Sequence, residues 1–187
     1  MNRARMEEGI RLFLDGLLDG MPHDGAAAAA LRETPRRVAA AYADDLLAGY
    51  AEDPAAHLEP LPVAGARGPV LLHGIRFVSV CAHHLLPFRG EAHVGFVPDG
   101  AHVGIGSIAR LVDTLARRLT LQEQLTAEIA DQIWTRLQPR SVLVAIDAEH
   151  LCLSVRGARK TGHRLRTVEH RGEPDPELQL LAAPDRW

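Results

Sequence analysis

The sequence predicts an α+β protein in which helices pack on one side of an antiparallel sheet, with a helical extension at the N-terminus. Three observations carry this prediction. Apolar residues of the first third recur at helical spacing, short runs rich in β-branched residues begin near residue 70 and return near residue 141, and two helical stretches separate those runs. Helices, two strands, two helices and two strands, in this order, are typical of an α+β domain.

Length and composition limit the classes of function. A chain of 187 residues suffices for one sizeable core, and 47% hydrophobic with 24% charged residues describes an ordinary soluble globular protein. A net charge of −3 gives no bulk attraction to nucleic acid. The first twenty residues interrupt their apolar positions with charge, which is untypical of a signal peptide or a membrane span. We therefore expect a cytoplasmic protein without nucleic-acid or membrane partners.

Two helices are predicted in the N-terminal third. The first is amphipathic and ends near Gly20; its apolar face is formed by Ile10, Phe13, Leu14, Leu17 and Leu18. The second is expected to start at Thr34 as N-cap, with Pro35 in the first turn. Prolines and glycines then accumulate. The expected organisation is a helical region over 1–50, a loop or linker over 51–68, and over 69–187 the domain that carries the candidate chemistry.

The remaining elements are predicted from pattern and punctuation. PVLLHGIRFVSVC and GEAHVGFVP read as antiparallel strands, and SIARLVDTLARRL as a helix. Thr120 with Glu123 three residues later has the form of a capping box that opens a second helix, which ends before Pro139. SVLVAIDA and LCLSVRG read as two more strands, and the tail from Arg171 is expected to be loosely ordered.

The stretch VCAHHLLPF, residues 80 to 88, concentrates soft and titratable side chains. Cys81 and His84 have a spacing suited to zinc, and Cys152 offers a third ligand from a later segment. A catalytic zinc usually has three protein ligands and one open position. The alternatives are a core cysteine with incidental histidines and a catalytic pair that needs no metal. The chain has only these two cysteines, and without a secretory signal a disulfide is the less expected use for them.

Two other histidines are candidates for proton transfer. His83 faces away from His84 if the backbone is extended there, whereas a local turn brings both to one pocket. If LCLSVRG is a strand, His150 and Cys152 share one of its faces, with Arg156 further along. That face then offers an acid or base, a metal ligand and a guanidinium suited to phosphate. For each histidine alone, a structural role is the commoner case.

Several motifs together resemble the GTP cyclohydrolase I family. They are TPRRVAAAYADDLLAGY, SVCAHHLLPFRGEAHVGFVP, GIGSIARLVDTLARRLTLQEQLT and EHLCLSVRG, and they cover roughly residues 30 to 157. The resemblance implies a tunnelling fold, in which sheets of neighbouring subunits join into a barrel, and a homodecamer of two pentamers. It also implies a reaction: hydration of GTP at C8, opening of the imidazole ring, release of formate and reclosure to 7,8-dihydroneopterin triphosphate.

The resemblance further implies roles for individual residues. Zinc is bound by Cys81, His84 and Cys152 and activates the attacking water, while His83 and His150 move protons. The guanine edge is read by Glu123 with Gln122 beside it; the alternative for both residues is a first-turn helix cap. The triphosphate is held by the guanidinium groups of Arg37, Arg110 and Arg156. For Arg37 and Arg110 alone, a solvated helix face is the simpler interpretation.

Three positions depart from the family pattern and leave alternatives open. Ala82 stands where the family has glutamate, Ser107 takes the place of a lysine expected at the triphosphate, and Gln124 that of an arginine. New arginines after residue 157 offer compensation; these are Arg159, Arg164 and Arg166. One alternative is therefore a divergent paralogue that acts on another purine nucleotide or stops at the ring-opened formamidopyrimidine. Another is a non-catalytic relative that binds zinc and nucleotide.

Overall fold

The structure is a computed structural model that describes residues 1–20, 25–62, 65 and 68–181. The chain divides into two compact units, Met1–Ala48 and Gly49–Trp187. None of the helices in the described ranges is long and apolar enough to cross a membrane.

The first unit is helical. Helix α1 spans Arg3–Leu18 and is capped by Asn2, whose side chain accepts a hydrogen bond from the Arg5 backbone nitrogen. Helix α2 spans Gly25–Ala40 and continues into a π-helical segment, Ala41–Leu46. The predicted start of the second helix is wrong: Pro35 lies inside α2, and the Thr34 hydroxyl donates back to the Ala30 carbonyl rather than capping. An alanine-rich run of high helix propensity extends the helix ahead of the proline.

The second unit contains the sheet. After short 3₁₀ segments at Ala48–Ala51 and Pro54–His57, its elements follow in this order: β1 Leu61–Pro62, β2 Val70–Cys81, β3 Pro87–Val97, β4 Ala101–His102, α3 Ile105–Ala116, β5 Leu119–Thr120, α4 Gln122–Leu137, β6 Ser141–His150, α5 Leu151–Ser154, β7 Leu165–Gly172 and α6 Pro176–Leu181. Strands β1 and β4 form a small sheet of their own, and the main sheet has the order β5-β2-β3-β6-β7. All its neighbours are antiparallel except β5, which pairs in parallel with the last two residues of β2.

One face of the main sheet packs on α3 and α4. Alternate residues of β3 and β6 point into this core, together with the predicted apolar face of α3; the members include Phe88, Ala92, Val94, Ile108, Leu111, Val112, Leu115, Val144 and Ile146. The opposite face is partly covered by α6, whose Leu178 packs on Val97, Leu143 and Ala145. The α+β class is confirmed, and this sheet with its helices agrees with the tunnelling fold that the resemblance implies.

Two predictions for the C-terminal part are wrong. LCLSVRG is not a strand, because β6 ends at His150 and Leu151–Ser154 forms a short helix. The fourth long strand is instead β7, in a charged stretch that the pattern did not mark. The tail from Arg171 is ordered as far as Leu181, with Leu178 buried in α6, and the rest of the tail lies outside the described residues.

Candidate metal centre and active site

A tight turn after β2 places His84 back beside Cys81. The Cys81 carbonyl accepts from the Leu85 nitrogen, and the Cys81 nitrogen donates to the Leu86 carbonyl, both at 2.9 Å. Leu85 takes the left-handed conformation, with φ of 55°. As a result the Cys81 Sγ and His84 Nδ1 lie 3.9 Å apart. The adjacent histidines therefore lie in a turn and not in an extended strand. This is the alternative in which both side chains can reach one pocket.

Cys152 completes a group of three metal-binding side chains. It lies in α5, directly after β6, and its sulfur, the Cys81 sulfur and a His84 ring nitrogen all lie within 4.8 Å of one another. Cys81 is buried, Cys152 is half-buried and His84 is exposed. The expected common strand face for His150 and Cys152 does not exist. The helical turn after His150, rather than strand alternation, brings the Cys152 sulfur to the other two ligands.

The donor set suits a borderline-soft cation. Two sulfurs and one imidazole nitrogen are typical zinc ligands, and three protein ligands leave a fourth position of a tetrahedron open. Burial raises the pKa of the Cys152 thiol, and the nearby Cys81 sulfur raises it further, whereas the charge of Arg156 opposes this. Two thiolates held this close repel each other, and a bound cation removes that repulsion.

Strand β5 connects this group to the start of α4. Thr120 pairs with Cys81, and its carbonyl accepts from the Ala82 nitrogen at 3.0 Å. The predicted capping box is wrong, because Leu121 is the N-cap, without a side-chain hydrogen bond, and the Thr120 hydroxyl donates to the Leu121 carbonyl. Gln122 is fully buried, while Glu123 is exposed. The parallel β5 pairing therefore sets both residues next to the turn that carries His84.

His150 is held against β3. It is the register partner of Phe88, and the two rings stack with centroids 4.7 Å apart and planes 2° from parallel. The Nε2 of His150 lies 2.8 Å from the Gln122 Oε1. Burial, and to a lesser degree the neighbouring His163 ring, lower the pKa of His150, and the Glu123 carboxylate partly opposes them. At neutral pH the imidazole is therefore uncharged and able to accept a proton.

The remaining predicted site residues lie at the surface. The His83 ring is exposed and stands edge-on to the His84 ring, with centroids 6.1 Å apart. Arg156 is exposed just beyond α5. In α3 the Arg110 guanidinium donates to the Ser107 hydroxyl at 3.1 Å, and no hydrogen bond or ion pair among the described residues joins this pair to the His150 group. Arg37 is exposed on α2 in the first unit.

The three departing positions have simple local environments. Ala82 is exposed in the turn and takes part in the structure through its backbone bond to Thr120. Ser107 is the partner of Arg110, and the Gln124 amide donates to Glu128 at 2.8 Å. All three side chains are uncharged, so they add no positive charge around the candidate site.

Four residues around His150 were missed by the sequence analysis: Phe88, Thr126, His163 and Thr167. The two threonines bond the Gln122 amide and carbonyl, and the His163 Nε2 accepts from the His150 backbone nitrogen at 3.2 Å. Their roles depend on strand register and on β7, and neither leaves a local pattern in the sequence. The one available signal was Phe88, which closes the stretch VCAHHLLPF.

Comparisons with known proteins agree on one family. The GTP cyclohydrolase I family profile matches residues 15–182. The chain is 40% identical over 173 residues to GTP cyclohydrolase 1 of Bacillus cytotoxicus, which covers 92% of this chain and 88% of that protein. It is 39% identical to GTP cyclohydrolase 1 of Carboxydothermus hydrogenoformans, over 92% and 87% of the two chains. The apo crystal structure of archaeosine synthase QueF-Like covers 60% of this chain and 100% of its own at 19% identity, with a TM-score of 0.47, a likeness too weak to support an argument.

Proposed function

The chain belongs to the GTP cyclohydrolase I family and is an enzyme of that kind, and from this premise we propose that it converts GTP to 7,8-dihydroneopterin triphosphate with release of formate. The observation that carries the proposal is the meeting of Cys81, His84 and Cys152 within 4.8 Å, with His150 two residues from one of the sulfurs. Three metal-binding side chains beside the neutral imidazole of His150 are suited to hydrolysis of the five-membered ring of a purine.

We propose that the metal is zinc, held by Cys81, His84 and Cys152. Two sulfurs and one imidazole nitrogen favour this ion over magnesium or calcium, which prefer oxygen ligands. When bound, zinc lowers the pKa of water toward neutrality, which makes a nucleophile available for attack at C8. The ion would be held by side chains from the end of β2, from the turn after it and from α5.

The two histidines beside the metal ligands are proposed to transfer protons. His150 is uncharged at neutral pH because burial and His163 lower its pKa, so it is suited to take a proton from the reacting ring. His83 is exposed in the turn and is suited to exchange protons with solvent. Opening the ring and releasing formate require both removal and delivery of protons, and two histidines in different environments supply them.

Guanine recognition is assigned to Glu123. A carboxylate accepts hydrogen bonds from both N1 and the exocyclic amine of guanine, which adenine does not offer. Glu123 is exposed in the first turn of α4, directly after Gln122, whose side chain contacts His150. Gln122, predicted to share this task, is buried with its amide bonded inside the protein.

We assign the triphosphate to Arg37, Arg110 and Arg156, with Ser107 beside Arg110. Their guanidinium groups are exposed, and Arg156 follows α5 closely enough for its charge to act on Cys152. Two of the later arginines contact Asp147: Arg166 forms an ion pair with its carboxylate and Arg164 donates to its carbonyl.

Because Ser107 and Gln124 are uncharged, a divergent paralogue with another purine nucleotide as substrate is the second candidate.

A homodecamer is proposed as the working assembly. Within the described residues, β7 is paired on one side only, and β2 lacks an outer neighbour along residues 70–79. These edges carry exposed apolar side chains, namely Val78, Leu165 and Val168. Pairing of β2 with β7 of a neighbouring subunit would satisfy both edges and close a barrel. Light scattering of the purified protein measures the subunit number, and a monomer would contradict the proposal.

The function is tested with purified, zinc-loaded protein and GTP. Formate and a pterin absorption band are expected together. Formate without pterin supports the shortened reaction, and formate from another purine nucleotide alone supports the paralogue. If no purine nucleotide yields formate, neither the GTP cyclohydrolase I activity nor the activity of a divergent paralogue is present.

The metal assignment is tested separately by the zinc content of variants. Cys152→Ala is expected to lose zinc and activity together, whereas Leu153→Ala, exposed at the next position, is the matched control that keeps both. Full zinc occupancy in Cys152→Ala would overturn the assignment.

A further inference from the structure

The Gln122 side chain lies at the first position of α4 and is fully buried. Its Nε2 is 2.9 Å from the carbonyl oxygens of both Ile146 and Leu165, and 3.1 Å from the Thr167 hydroxyl oxygen. Backbone carbonyls can only accept hydrogen bonds, so the amide nitrogen must face them. The orientation of the amide is therefore set by its partners, and the Gln122 Oε1 must point the other way.

The opposite end of this amide contacts His150. The Gln122 Oε1 and the His150 Nε2 are 2.8 Å apart. An amide oxygen only accepts, so the His150 Nε2 must carry the hydrogen of this bond. A neutral imidazole has a single N–H, and its second nitrogen, Nδ1, is then left with a lone pair.

A closed set of hydrogen bonds stabilises the amide orientation. The Thr126 hydroxyl donates to the Gln122 carbonyl at 2.7 Å, which uses its only hydrogen. The 2.6 Å contact between the two threonine hydroxyls must therefore run from Thr167 to Thr126. Since the Thr167 hydrogen is used there, its oxygen can only accept from the Gln122 Nε2, whose two hydrogens are shared among this oxygen and the two carbonyls. Every direction agrees with the orientation fixed by the two carbonyls.

The imidazole ring has no simple alternative position. Phe88 stacks on one face of the His150 ring, with centroids 4.7 Å apart, and the His150 backbone nitrogen donates to the His163 Nε2. The His163 Nδ1 in turn lies 2.6 Å from the Lys160 carbonyl, so it carries the hydrogen and leaves Nε2 as an acceptor. The backbone and the ring of His150 are thus both held in place. Because the ring cannot turn away, the hydrogen bond to Gln122 determines which of its two nitrogens carries the hydrogen.

We propose that Gln122 is a positioning residue, whose buried amide holds His150 in the Nε2–H tautomer and leaves Nδ1 as the one nitrogen able to take a proton from the substrate. The proposal rests on the proposed function and deepens it. The role proposed for Gln122 is therefore to orient the proton acceptor His150, not to bind guanine. Its predicted signature is a loss of turnover without a loss of GTP binding.

The tautomer is measured first, in the unaltered zinc-loaded enzyme. With ¹⁵N-labelled histidine at about pH 8, above the ordinary imidazole pKa, long-range ¹H–¹⁵N spectra distinguish the two neutral forms. His150→Asn identifies the His150 signals. Protonated Nε2 is expected, and protonated Nδ1 would overturn the proposal without any variant of Gln122 and without any turnover.

The kinetic test compares three variants by formate release. Gln122→Met removes the acceptor and is expected to lower kcat about 10- to 100-fold, with KM for GTP within about threefold of wild type. Gln122→Glu keeps an oxygen toward His150 but turns its second oxygen toward the Ile146 and Leu165 carbonyls, so it is expected to recover only a small part of that loss. Gln124→Met makes the same change at an exposed position of α4, where the amide donates to Glu128, so it serves as the matched control with kcat close to wild type.

The outcomes separate this proposal from the proposed function. A rise in KM with unchanged kcat in Gln122→Met would overturn the positioning role in favour of guanine recognition. Equal losses in Gln122→Met and Gln124→Met would also overturn it, since both would then reflect general damage. If wild-type enzyme releases no formate, the proposed function fails, while the tautomer measurement still decides the orientation of His150.

Discussion

Phe88 and His150 are opposite each other across β3 and β6, and their rings are stacked within 2° of parallel. The phenylalanine is completely buried, so the imidazole rests on a rigid surface of the core. One strand pair thus connects the hydrophobic core directly with the proposed proton acceptor.

Replacing Phe88 with leucine is expected to lower kcat by about tenfold, because the ring that orients His150 is lost. Loss of part of a buried aromatic side chain also costs about 1–3 kcal/mol of stability. Phe77→Leu is the matched control: Phe77 packs edge-on against Phe88 but has no contact with His150 among the aromatic pairs of the described residues. Formate release and urea unfolding measure both effects, and equal kcat values in the two variants would contradict the prediction.

Stability is expected to fall as the pH decreases below about 6.5, partly through His93. Burial lowers the pKa of this imidazole in the folded state, Arg166 and His73 lower it further, and Asp147 and Glu91 oppose them. A lowered histidine pKa means that the unfolded chain binds the proton more tightly. The contribution is therefore present above the unfolded pKa and is lost as the pH falls through the folded pKa.

His93→Asn tests this pH dependence by urea unfolding between pH 8 and pH 5, taken as about 1.5 units on either side of the ordinary imidazole pKa. The Gly74 nitrogen donates to the His93 Nδ1 at 3.2 Å, and an asparagine oxygen can accept in its place. We expect wild type and variant to differ most at the high end of the range and to converge at the low end. A constant difference across the range would exclude His93 as the titrating group.

Removal of metal is expected to lower the melting temperature. A ligand that binds only the folded state stabilises it by about 2.7 kcal/mol at a hundredfold excess over Kd, which corresponds to about 5 °C or more for a chain of this length. Thermal unfolding with and without a chelator measures the shift, and added zinc should reverse it. His84→Ala should show no response to either treatment; a normal zinc response in that variant would contradict the ligand assignment.

Gly90→Ala is expected to destabilise the sheet by about 1–3 kcal/mol or more. A Cβ at this position would overlap the Asp147 carbonyl oxygen and lie 2.7 Å from the Ala148 Cα, in the register beside Phe88 and His150. Gly104→Ala is the control, because its Cβ would meet only the Ser107 hydroxyl at 3.6 Å. The free energy of unfolding of both variants is compared with wild type, and similar values would show that β3 can move away from β6.

Strands β2, β3 and β6 and helices α1, α3 and α4 were predictable because each keeps one regular pattern. β2, β3 and β6 carry dense apolar and β-branched runs, and the apolar residues of α3 repeat at helical spacing. Cys81 and His84 were identified as a candidate pair from spacing alone. These signals are local, and they survive in the sequence whatever the rest of the chain does.

The elements and roles that were predicted wrongly either are very short or depend on residues far away in the sequence. Four residues of α5 are too few to show helical periodicity. The turn is stabilised by the Ser154 hydroxyl, whose one hydrogen is shared between the Glu149 carboxylate at 3.0 Å and the His150 carbonyl at 3.2 Å. β7 is an edge strand with a charged sequence. The buried position of Gln122 depends on the pairing of Thr120 with Cys81, which is far away in the sequence. Without that pairing, a polar residue at the start of a helix is interpreted as a cap or a substrate contact.

The register of β3 against β6 has a consequence for assembly of the metal centre in the cell. Two of the three ligands come from one turn, but Cys152 reaches them only if Phe88 is paired with His150. A slip by one residue would turn alternate side chains to the other face and carry the second sulfur away. If the three side chains bind zinc as proposed, only chains with correctly aligned strands acquire the ion and the stability that it provides.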